Sequence, residues 1–67
     1  MLRLELERRQ VRLTQAALAR EAGIHPTTVS QIESGRVHPS ASELERFASV
    51  LGFENDPADL AAEVPKS

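Results

Sequence analysis

A glycine and a proline only three positions apart, Gly23 and Pro26 in "EAGIHPTT", constrain this chain more than any other feature. Glycine ends helices because it adopts the left-handed conformation without steric cost. Proline starts them because its missing N–H would be unpaired in the first turn in any case. Two helical segments must therefore meet across Gly23, Ile24 and the capping residue His25 alone, and so short a link forces them to cross steeply. Helices crossing that closely need a small side chain where they touch. Ala19 supplies it on the first segment, while Val29 and Ile32 are placed to seal the second segment against it.

The same punctuation divides the rest of the chain into a total of five expected helices. The first runs roughly from Leu2 to Arg12, with Leu4, Arg8 and Val11 on one face at i, i+4, i+7. Thr14 caps the second, Gln15 to Ala22, which turns Leu18, Ala19 and Ala22 inward before Gly23 ends it. The third starts at Pro26 and stops at Gly35. Ser40 and Glu43 have capping-box spacing at the head of the fourth, which reaches about Leu51 with Leu44, Phe47, Ala48 and Leu51 inward. Asp56 and Pro57 repeat the starting signal for a fifth, ending near Glu63, with Leu60 and Val64 offered to the core before Pro65 stops it. No stretch of four or more residues alternates as a strand does. The expected fold is all-α, a five-helix bundle forming one domain over residues 1–67 with a short tail from about residue 65.

Small residue, glycine and apolar seal at this spacing are the sequence form of a helix-turn-helix. The stretch from Leu13 to Gly52 resembles the lambda-repressor-like helix-turn-helix family that includes Cro and the XRE-type regulators. "TQ" at the head of helix two, then "LA", "AGI", "VSQIESGR", "P", "L", "FA" and "LG" fall in register with it. The resemblance implies a five-helix bundle whose third helix enters the DNA major groove. With Val29 and Ile32 inward, the outer face of that helix carries Pro26, Thr27, Ser30 and Gln31, and the N-terminal positions of such helices reach base edges. Thr27 offers a hydroxyl and a methyl, Gln31 an amide that can grip adenine at both ends. Pro26 offers only an apolar contact or a shape to the groove.

The resemblance also assigns supporting roles. Gln15 matches a family glutamine that bonds a phosphate and buttresses helix three. Thr28, Arg36 and His38 are further expected phosphate contacts, which position a protein on DNA without specifying sequence. Arg8 and Glu33 match a pair that forms a partly buried salt bridge in some relatives, which accounts for an arginine within the apolar stripe of helix one.

Composition bears on the choice of function class. The net charge of −2 is unevenly divided, since residues 1–38 carry six arginines against four glutamates and residues 39–67 carry two cations against six acids. Such a division suits one face turned to phosphate and another turned away. The absence of cysteine, the short apolar runs and the charged start "MLRLELERRQ" lead us to expect a cytoplasmic protein with neither membrane span nor signal peptide. His25 and His38, expected as a cap and a loop residue, are too few and too isolated for a metal site, and no cofactor is expected. Nothing sets a base beside a nucleophile, so no enzyme activity and no small-molecule ligand are expected.

A single module binds DNA weakly, so a homodimer on a pseudo-palindromic site is the expected form. Leu2 and Leu6 project from helix one away from Leu4, either under cover of helix five or the first turn, or as a partner surface. Phe53 and Leu60 are the other candidates for dimer or partner contact. The function expected is that of a sequence-specific regulator of transcription, most simply a repressor. An antitoxin bound to a toxin or a restriction-modification controller would use the same chemistry. A different class, a protein-interaction module that reads no bases, is favoured slightly by the net acidity.

Overall fold

Each of the four internal helix starts is held by the side chain that the sequence singled out for it. The computed structural model describes residues 1–65, so the tail expected from about residue 65 lies, beyond Pro65, outside the described residues. The α-helices are α1 (Arg3–Gln10), α2 (Gln15–Ala22), α3 (Pro26–Glu33) and α4 (Ala41–Leu51), followed by a 3-10 segment, Pro57–Ala61. Thr14 accepts from the Ala17 amide, His25 from Thr27 and Asp56 from Ala58. Ser40 and Glu43 close a full capping box, each side chain bonded to the other's backbone N–H. The fold is all-α, with no strand among the described residues.

The expected fifth α-helix is corrected to that 3-10 segment. Its backbone bonds, Asp59 to Asp56 and Ala62 to Asp59, close i to i+3 rings. It stops at Ala61 because Ala62 to Val64 run extended against the chain's beginning. There Arg3 donates to the Ala62 carbonyl at 2.8 Å and Val64 to the Met1 carbonyl at 2.8 Å, around an isolated antiparallel bridge between Leu2 and Glu63. Val64 is consequently half-buried rather than a helical core residue. Helix one is shorter than expected at both ends, and Val11, expected inward, is 46% exposed. The helix ends at Gln10, and Arg12 takes a left-handed φ of 61°, so Val11 no longer lies on the helical stripe.

Leu4, Leu18, Ala19, Ala22, Val29, Ile32, Leu44, Phe47, Ala48, Leu51 and Leu60 form one core. Every helix and the 3-10 segment contribute to it. Gly23, at φ 70°, turns the chain from α2 into α3, and the next amide, of Ile24, bonds back to the Ala19 carbonyl at 2.9 Å. That bond from the residue after the glycine closes the last turn of α2 and sets the start of α3 beside it. Among the described residues no helix is long and apolar enough to cross a membrane.

Candidate nucleic-acid interface

Pro26, Thr27 and Ser30 are exposed on α3, and Gln31 is half-buried beside them. Val29 and Ile32, on the other side of the helix, are buried completely or nearly so. Among the described residues the side chains of Thr27, Ser30 and Gln31 make no hydrogen bond within the protein, so their polar groups are open to a ligand. The start of the face is organised by His25. Pro26 has no N–H, the Thr27 amide is taken by His25 Nδ1 at 3.1 Å, and the Thr28 amide bonds the His25 carbonyl at 3.0 Å. Thr28 itself is half-buried.

The loop after α3 folds back onto it. The Gln31 carbonyl accepts from the Arg36 amide at 2.9 Å, the Val37 amide at 3.3 Å and Ser34 Oγ at 3.0 Å. Arg36 and His38 are exposed on this anchored loop, which follows directly from the end of α3. The electrostatics of the segment differ from those of the whole chain. Between Ala22 and Ser42 the sole acid is Glu33, and its side chain is 3% exposed and paired with Arg8. No exposed carboxylate therefore interrupts the surface from α3 through its following loop.

Arg8 and Glu33 form the expected salt bridge, and its geometry is bidentate. Arg8 Nε donates to Glu33 Oε2 at 2.8 Å and Arg8 Nη2 to Oε1 at 3.0 Å, while Nη1 donates to the Leu13 carbonyl at 2.9 Å. The Arg8 side chain is 11% exposed. Hydrogen bonding to Glu33 holds the guanidinium above its ordinary basicity, helped by the negative charges of Glu33 and Glu5 and opposed by burial. Planar fork against planar carboxylate is the strongest form such a pair takes.

Gln15 belongs to the same network, which the sequence alone did not reveal. Its Nε2 donates to Glu33 Oε1 at 2.9 Å, so the head of α2 is tied to the far end of α3. The buttressing role expected of Gln15 is thus carried through Glu33, and one amide hydrogen remains for another acceptor. An acidic residue on the inward side of α3, in a sequence with a polar residue opening α2, was the available signal.

The partner candidates separate. Leu60 is corrected from contact residue to core residue, being wholly buried under α1 and α4. Leu2 packs against the core and pairs with Glu63, and Phe53 also packs against the core, with the Arg3 guanidinium 5.4 Å from its ring centre. Leu6 is half-buried on α1. A notch between the start of α4 and the start of the 3-10 segment, lined by Ala41, Leu44, Glu45, Asp56, Pro57 and Ala58, has a volume of about 130 Å³. That is below the size of ordinary small-molecule pockets.

The family model for the helix-turn-helix domain matches residues 2–62. No curated protein and no solved structure matches the chain. The matched span contains α1, α2, the three-residue connection Gly23–His25, α3, α4 and the 3-10 segment. The chain belongs to the helix-turn-helix domain family and is a DNA-binding domain of that kind.

Proposed function

We propose that the protein is a sequence-specific double-stranded DNA-binding regulator of transcription of the lambda-repressor-like type, acting in the cytoplasm as a homodimeric repressor. The observation that carries this reading is the outer face of α3. Its polar side chains make no hydrogen bond within the protein among the described residues, and no exposed carboxylate lies on α3 or its following loop. Pro26, Thr27, Ser30 and Gln31 read base edges, and Gln15, Thr28, Arg36 and His38 contact phosphates. A face built for base readout has this composition, because hydroxyls and amides match the donor and acceptor pattern of the major groove.

The size of the molecule supports the dimeric reading. The molecule measures 28 Å in its longest dimension, and successive major-groove half-sites on one side of a duplex lie about 34 Å apart. Reading both half-sites takes two copies. Selection from random duplex DNA tests the proposal, with affinities then measured across salt concentration. Recovery of an inverted repeat, bound with affinity that falls steeply as salt rises, supports it. Failure to enrich any sequence overturns it and favours the protein-interaction reading suggested by the net charge of −2.

A further inference from the structure

We infer that His25 is a positioning residue for the base-reading face, acting through the Thr27 amide, and that it does so only as the neutral imidazole. The inference rests on the DNA-reading role proposed above and adds a condition to it. Helix N-termini carry unpaired N–H groups, and serine, threonine, aspartate or asparagine usually satisfies one of them. Here the side chain that does so is a histidine, through Nδ1 at 3.1 Å from the Thr27 nitrogen. An imidazole nitrogen can accept only while it carries no proton. The bond therefore requires the neutral tautomer with its hydrogen on Nε2.

Protonation has two consequences at this place. Nδ1 changes from acceptor to donor and faces another donor, and a positive charge appears at the positive end of the α3 dipole. Both loosen the first turn, which carries Pro26 and Thr27. Because Pro26 has no N–H, the Thr27 amide is the first donor of α3, and the helix start has no second side-chain cap. The charged groups on the packed element are Arg20 and Glu21 in the last turn of α2, both exposed. Glu33 lies at the far end of α3, and Arg36 and His38 follow it. Among the described residues none of these forms a hydrogen bond or ion pair with the imidazole. Imidazoles in general change charge between about pH 5 and pH 8, which sets the interval the test spans.

The test compares wild type, His25→Asn and His25→Ala at about pH 8 and about pH 5, on either side of that range. Asparagine caps without titrating in this interval and alanine does not cap. Equilibrium unfolding is measured on the free protein, and affinity on the duplex selected with wild type at the higher pH. His38 and the carboxylates are common to all three proteins, so whatever they contribute cancels in the comparison. At the higher pH, wild type and His25→Asn should match, with His25→Ala shifted toward unfolding by about five-fold. On acidification, wild type should fall about five-fold or more relative to His25→Asn in both folding equilibrium and affinity, approaching His25→Ala.

Identical pH profiles for wild type and His25→Asn overturn the inference. So does an affinity that rises on acidification in wild type alone, because the imidazolium would then be touching phosphate directly. If no duplex can be selected at the higher pH, the DNA-reading proposal itself fails and takes the positioning role with it. A selected duplex bound with the same profile by both proteins sinks only the role of His25.

Discussion

Glu33 holds together three parts of the molecule through one carboxylate, receiving Arg8 from α1 and Gln15 from α2 while sitting on α3. Glu33→Ala should destabilise the protein by about 3 kcal/mol in chemical denaturation, since it leaves a guanidinium largely buried without its partner. An unchanged melting temperature would show that the network contributes nothing. The pair's dependence on alkaline pH has a definite sign. Arg8 is more basic in the folded protein than unfolded, so its contribution is intact below the ordinary arginine range and is lost only as pH rises through the raised value. Gln31→Ala acts on readout instead. Under the DNA reading it should weaken the selected site by about 1–3 kcal/mol and leave binding to unrelated duplex nearly unchanged, as competition assays would measure.

At the scale of elements, helix ends were more legible than helix type. Thr14, Ser40, Asp56 and Gly23 act where their residue types indicated, because caps and left-handed turns are decided by neighbours a few positions away. Arg12 escaped notice because it carries a left-handed φ without being glycine, and no sequence signal marks it. Its side chain is exposed and the conformation disfavours any Cβ. Arg12→Gly should therefore stabilise the protein by about 0.5–1 kcal/mol, the relief of strain exceeding the entropy that glycine adds to the unfolded chain. A lower denaturation midpoint would count against that account of the α1–α2 turn.

For the whole molecule, the segment after α4 is what completes the core. Leu60 is wholly buried, and the 3-10 segment that carries it packs on both α1 and α4. Leu60→Ala should cost about 2–5 kcal/mol. A chain of this size has folding free energy of only about 3–10 kcal/mol at the usual value per residue, so a substantial fraction of the variant should be unfolded at ambient temperature. Far-ultraviolet circular dichroism and thermal melting would read this directly, and a melting curve like that of wild type would show the last segment to be dispensable.

The sequence by itself determined the starts of α2, α3, α4 and the 3-10 segment, the glycine ends of α2 and α4, the inward set on α2, α3 and α4, the polar outer face of α3 and the Arg8–Glu33 pairing through family resemblance. These depend on short-range periodicity, on capping chemistry, or on motifs with a tight spacing. Only the tertiary structure decided that Ala62–Val64 would pair with Met1–Arg3 in place of continuing a helix, that Leu60 would be covered and Val11 uncovered, and that Gln15 would bond Glu33. In each case the choice depends on a residue far away in the chain, and local propensity carries no record of which distant backbone or side chain will be there to accept the bond.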